Sequence, residues 1–312
     1  MIHLPTKQRD QAPGRLSVSG ALRQIKRAIE GISGGEYNQS YYPHDDVINL
    51  LRAYSIHKLQ LAPGDQPKCN YCESRIEHAA TLQVEHYRPK AKVESGENDH
   101  VETQGYYWLG LEWTNLLLAC PKCNGKDAKG NKFPIRGVRA QPLNPIISSG
   151  RGGRTLSLVR AQCYANGNPL MRELPILLNP EIDHPETYLT FDLNSNISGY
   201  GNDFERGEVS KDTYRLNRDE LLINRKKVWD EIKQDINEDI AGYQANFLDE
   251  QALRFRFRAI AKKLVKRTLP SEEYTLWGRF INDNIPAFLA YLDIFYSDLF
   301  LEVYQEILAE NP

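Results

Sequence analysis

No run of about 18 uncharged apolar residues occurs in this 312-residue chain, so the sequence holds no segment suited to spanning a membrane as a helix. Its first residues, MIHLPTKQRDQAPGR, lack the apolar centre of a secretory signal, and the chain reads as cytoplasmic. A G-x-x-x-x-G-K-[ST] phosphate loop is also missing, so any control by ATP has to come from another protein. Neither sign of charge prevails. With 39 Lys and Arg against 41 Asp and Glu, the net charge of -2 alone argues neither for nor against nucleic acid. Cysteine is scarce, and in a cytoplasmic chain the five residues are metal ligands or free thiols sooner than a disulfide frame.

What is present is a soluble globular composition, 41% apolar and 26% charged, on a chain long enough for one large domain or two ordinary ones. Four of the five cysteines form two Cys-x-x-Cys pairs, Cys69 with Cys72 and Cys120 with Cys123. Two residues between thiolates let both sulfurs reach one ion from a tight turn, and two such turns complete a tetrahedral shell for zinc. An iron-sulfur cluster or unconnected thiols are the alternatives. Cys163 has no neighbouring base or ligand and reads as a bystander thiol. A closed four-cysteine site supplies folding energy and no open position for substrate. The 47 residues between Cys72 and Cys120 exceed what a simple zinc ribbon needs, so something is housed inside the clip.

Along the chain, the first fifteen residues read as a flexible arm, followed by one helix over residues 16–35 and a second from Asp45 to about Leu59. NLLLAC reads as a buried strand, and Pro121 sits where a helix would begin. ELPILLNPEIDHPE reads as a buried strand and a Pro-rich turn. From about Asp212 the pattern is helical, ending in one aromatic-rich helix from Ile285 onward. Between Lys122 and Arg160, nine Lys and Arg stand against the single acid Asp127, a footprint suited to phosphates, with a solvated basic surface face as the alternative. His3, His44, His57, His78, His100 and His184 read as surface or capping residues.

VEHYRPK inside the clip, EWTNLLLACPKCN and the second knuckle together resemble the HNH endonucleases. The fold this resemblance implies is α+β, a ββα-metal (His-Me finger) core with a four-cysteine zinc clip in a mainly helical chain. It implies His86 as general base, Glu85 and Asn124 as ligands of a catalytic Mg²⁺ or Mn²⁺, and Asn115 as the residue that bonds the loop orienting His86. Glu85 stands where many such enzymes carry Asp. Arg88, Lys90 and Lys126 are candidates for phosphate contact, and Arg136 joins them from the basic run. The longer pattern from Lys68 to Arg225, with ELPILLNPEIDHPETYLTFD and YRLNRDELLINR, resembles the HNH subunit of Septu and retron-associated anti-phage systems. That resemblance implies a nuclease acting on DNA or RNA with a separate ABC or SMC-like ATPase. A non-catalytic zinc-ribbon binding or scaffolding subunit is the alternative. The chain then divides into a helical arm (1–65), the HNH core (66–140), a basic extension (141–211) and a helical region (212–312), the last expected to dock the ATPase and to be dispensable for the nuclease fold.

Overall fold

The computed structural model describes residues 1–16, 45–58, 66–94, 103–140, 146–150, 153–157 and 164–310. Most of the helix expected over residues 16–35 lies outside them, as do Cys163, His44, His100, Arg151 and Arg160.

The second expected helix is present as α1 (Asp45–Lys58), with Asp45 and Asp46 in its first turn, where they complement the helix dipole, and Val47 and Leu51 buried. Strands β1 (Gln83–His86) and β4 (Leu116–Ala119) pair antiparallel, with Glu85 opposite Leu117 and His86 opposite Leu116. Between them lies a small pair, β2 (Lys92–Val93) and β3 (Thr103–Gln104). The chain leaves β4 straight into α2 (Pro121–Asn124), a single turn with Pro121 at its start, as expected for a residue whose missing N–H costs nothing there. Two further hairpins follow, β5 (Ile146–Gly150) with β6 (Gly153–Ser157) and β7 (Leu189–Phe191) with β8 (Ile197–Gly199).

The rest is helical: α3 (Phe204–Thr213), α4 (Asp219–Gln244), α5 (Glu250–Lys266), α6 (Thr275–Asp283), α7 (Ile285–Leu289) and α8 (Ile294–Glu310). In α4, Leu221, Val228, Ile232, Ile236 and Ile240 recur at helical spacing and are buried. In α5, Leu253, Phe257, Ile260 and Leu264 form the apolar stripe, and the Asp249 side chain caps the start by accepting from the Ala252 N–H at 2.8 Å. No described helix is long and apolar enough to cross a membrane.

Three expectations are corrected. The first fifteen residues are not a loose arm: Met1, Ile2 and Leu4 are buried, the Leu4 N–H bonds the Pro180 carbonyl at 2.6 Å, and a buried Lys7 pairs with Glu181. ELPILLN forms no strand among the described residues. Leu177 and Leu178 are buried, but the segment makes only one bridge, Ile135 with Pro175, because prolines at 175 and 180 remove the ladder donors. The aromatic-rich terminal helix breaks after Leu289 and restarts at Ile294. The break lets Phe288 face Trp277, with ring centroids 5.6 Å apart, while Phe300 meets Phe257 on α5 at 5.2 Å.

Nor is the helical region a detachable appendage. Lys68 Nζ donates to the Thr275 hydroxyl at 3.0 Å, Ser74 and Tyr274 share a hydrogen bond of 3.2 Å, and the Leu276 N–H reaches Glu73 at 3.3 Å. All three bonds join the first cysteine knuckle to the entry of α6. One continuous set of buried side chains runs from Met1 to Ile307.

Candidate functional site

The knuckles assemble through backbone bonds. The Glu73 N–H bonds the Cys69 carbonyl at 3.0 Å, and the Cys69 N–H bonds the Ser74 carbonyl at 3.0 Å. Asn70 ties this turn to β4 by donating its N–H to the Leu118 carbonyl at 2.9 Å and accepting the Leu118 N–H at 2.7 Å. The second knuckle is Cys120, which precedes α2, together with the first turn of α2, and the Cys120 N–H donates to Cys69 Sγ at 3.3 Å. All four cysteines are buried and their sulfurs lie within 4.8 Å of one another, Cys72 and Cys120 at 3.7 Å. Zinc–sulfur bonds of about 2.3 Å in a tetrahedron place the sulfurs about 3.8 Å apart, so this donor set fits one zinc ion. Arg218, absent from the sequence reading, covers the cluster: its guanidinium lies 3.5 Å from the sulfurs of Cys123 and Cys72 and 3.9 Å from that of Cys120. A cation there offsets the negative charge of four thiolates.

Next to this clip, a cleft of about 560 Å³ opens at the end of β1, and its walls include Glu85, His86, Lys90 and Asn124. Alternation along the strand turns Glu85 and His86 to opposite faces and puts Gln83 on the face of Glu85. Gln83 in turn accepts a 3.0 Å hydrogen bond from Asn124 Nδ2, which directs the Asn124 side-chain carbonyl away from it.

His86 is buried, and its Nε2 lies 3.0 Å from the Gly110 carbonyl. Burial, with Lys90 nearby, pushes the imidazole down to about 3 against the pull of the Gly110 carbonyl, so the ring is neutral. Glu85 is buried 2.7 Å from the ammonium of Lys129. Burial pushes the carboxyl up and the Lys129 ammonium offsets it. Glu85 Oε1 therefore already faces a cation inside the protein, the Lys129 ammonium. Lys90 is partly buried, and burial lowers it to about 8.

Asn115 is fully buried below the cleft. Its Oδ1 accepts the Arg88 N–H at 2.9 Å, and its Nδ2 donates to the carbonyls of Arg88 at 3.0 Å and Leu109 at 3.3 Å. The chain leaving His86 is thereby clamped to the short turn Tyr107–Leu109.

Two of the expected phosphate contacts, Arg88 and Arg136, are engaged elsewhere, and a third, Lys126, stands outside the cleft. Arg88 is fully buried, with Nε 3.0 Å from Glu173 and the remaining nitrogens on the carbonyls of Ala165 and Leu170, so it is a core arginine and cannot reach a phosphate. Arg136 is exposed but held by Asp203 and Glu205, both at 2.5 Å. Lys126 is exposed and outside the cleft wall. The basic run is therefore less of a phosphate footprint than its composition suggests. Lys129 is buried, and Arg139 donates to the Tyr106 hydroxyl at 2.7 Å and the Phe133 carbonyl at 3.1 Å. Lys129, Gln83, Arg218 and Glu173 were not legible as partners of the site, because each acts on a residue distant along the chain or sits in a run that reads as surface charge.

Neither a family model nor a solved structure matches the chain. Among curated proteins it is 32% identical to Septu protein PtuB of Bacillus mycoides (strain KBAB4) over 192 residues, 62% of this chain and 54% of that protein. It is 30% identical to Septu protein PtuA of the same strain over 164 residues, 53% of this chain and 19% of that protein. Septu protein PtuB of Bacillus thuringiensis is 37% identical over 95 residues, 30% of this chain and 29% of that protein. The match thus spans about half the length of the first of these relatives, and over that span the chain resembles the Septu proteins.

Proposed function

We propose that the chain is a metal-dependent endonuclease of the HNH type, an effector of anti-phage defence that works with a separate ATPase. The observation that carries this reading is the meeting of Glu85, His86, Lys90 and Asn124 in one cleft at the end of a strand beside a four-cysteine clip. A neutral imidazole with its Nε2 held by the Gly110 carbonyl is a proton acceptor in a fixed orientation. His86 would take the proton from the attacking water, and a phosphate beside it would raise its proton affinity. The Glu85 carboxylate, one oxygen of which faces Lys129, and the Asn124 carbonyl are the oxygen donors that would hold Mg²⁺ or Mn²⁺. When bound, such a cation neutralises charge on the phosphate and the leaving oxygen. Asn115 fixes the backbone after His86, and Lys90 contributes positive charge to the cleft wall.

The similarity to PtuB and PtuA supports the defence role, and DNA or RNA is the substrate class. With no phosphate loop in the chain, ATP dependence is assigned to the partner. The test is His86→Ala assayed with Mg²⁺ or Mn²⁺ on duplex and single-stranded substrates. Cleavage should fall about 10²- to 10⁴-fold, with zinc content and nucleic-acid binding unchanged, and EDTA should stop the parent protein. Equal rates in parent and variant, or a parent that binds nucleic acid without cutting it, would favour the non-catalytic zinc-ribbon subunit instead.

A further inference from the structure

We propose that Lys129 is the positioning residue of this cleft, the link through which the cysteine clip holds Glu85 and His86 in place. This rests on the nuclease reading for its catalytic consequence but not for its geometry. Lys129 is fully buried, and its ammonium spans the two residues at once, 2.7 Å from Glu85 Oε1 and 2.8 Å from the His86 carbonyl oxygen. Its own backbone is hooked to the second knuckle, since the Lys129 N–H donates to the Cys123 carbonyl at 3.2 Å. The loop between them is fixed at both ends, by Gly125 N–H to the Pro121 carbonyl at 2.9 Å and by Gly130 in a left-handed turn at φ 43°.

The chain of contacts runs from cysteine sulfur to α2, to the Lys129 backbone, along its side chain and onto the end of β1. β1 is only four residues long and, among the described residues, pairs with β4 alone, so Lys129 restrains its last residues from one side while Asn115 clamps the chain just beyond them. A neutral or shorter side chain at 129 would remove the restraint on the carboxylate and on the strand carbonyl together. Misplacing reacting groups by about 1 Å costs about 10²-fold in rate without weakening binding, which separates positioning from substrate contact. Lys129 faces no cleft wall and is not among the residues placed to touch substrate.

The experiment uses the full-length, zinc-loaded protein with Lys129→Met, which keeps the length and loses the charge and donors, and Lys129→Arg, which keeps both. Amide hydrogen exchange of residues 84–88 should quicken at least tenfold in Lys129→Met while α4 and α5 are unchanged. With Mg²⁺, kcat should fall about 10²-fold with KM within twofold of the parent, and Lys129→Arg should regain at least tenfold of that loss. Unchanged exchange over 84–88, or a loss appearing in KM alone, would overturn the proposal. A parent that cuts nothing would sink the nuclease reading, and exchange would then decide the role of Lys129 by itself. If Lys129→Met fails to fold, Glu85→Gln with Lys129→Met leaves no unpaired buried charge. Faster exchange over 84–88 in that double variant than in Glu85→Gln alone supports the proposal, and equal exchange refutes it.

Discussion

At the scale of single residues, His86 ties stability to pH. Its proton is bound near 6.5 in the unfolded chain and only near about 3 in the folded protein, because burial disfavours the imidazolium. Between those values the unfolded state holds more protons, so the stability His86 contributes is present above about pH 6.5 and is lost as pH falls toward 3. Between pH 7 and pH 5 the loss from this one residue is about 2 kcal/mol. Urea denaturation of the parent and of His86→Gln at the two pH values should show that difference in the parent only, and parallel losses would show that the ring protonates freely. Arg88 teaches the opposite lesson about charge. A guanidinium beside a candidate base invites assignment to phosphate, yet the bend just after β1 sends it into the core, where Glu173 and two carbonyls satisfy it.

At the scale of elements, α2 does two jobs in one turn. Cys120 and Cys123 belong to the clip, and Asn124, the next residue, lines the cleft. Loss of the metal should therefore disturb the cleft before it melts the distant helices. Cys69→Ser should lose about one zinc per chain by elemental analysis, with a marked drop in folded protein. Full zinc retention in that variant would remove Cys69 from the ligand set. The junction of α6 with the knuckle is a second such element. Trp277 is buried, donates its indole N–H to the Arg225 carbonyl at 2.8 Å, and lies 5.2 Å from Phe191. Trp277→Ala should cost about 3–5 kcal/mol in chemical denaturation, and a cost under 1 kcal/mol would mean that α6 packs loosely there.

At the scale of the whole molecule, the helical region is part of the core, so truncation after Arg225 should yield unfolded protein, not a working nuclease fragment. Basic residues on one face of α5 are also met from within. Arg254 pairs with Glu302 at 2.9 Å and Glu306 at 3.1 Å, and Arg258 pairs with Glu306 at 3.2 Å, all on α8. Under the nuclease proposal, a net charge near zero leaves any grip on phosphates to a few local lysines. Lys126 is exposed just beyond α2, whereas Lys122 faces Glu220 at 3.8 Å and Arg136 is already engaged by two acids. Lys126→Glu should therefore lower the slope of log affinity against log salt by about 0.9 for duplex DNA, with Arg136→Glu nearly silent. The reverse ranking would move the binding surface toward residues 136–139.

The sequence by itself determined the four cysteines, the buried strand NLLLAC, the proline that opens α2, and the stripes of α1 and α5. Each of these is a local signal, a spacing or a period that the backbone reads within a few residues. The resemblance to HNH endonucleases implied that Glu85, His86 and Asn124 meet, and all three line one cleft. What only the tertiary structure decided is which charges are buried. Lys7, Arg88 and Lys129 look like surface residues in the sequence and are core residues in the fold, because their partners Glu181, Glu173 and Glu85 lie 44 to 174 positions away. Pairing over such distances leaves no periodic trace, since the free energy that permits a buried charge comes from a neighbour the local sequence does not contain.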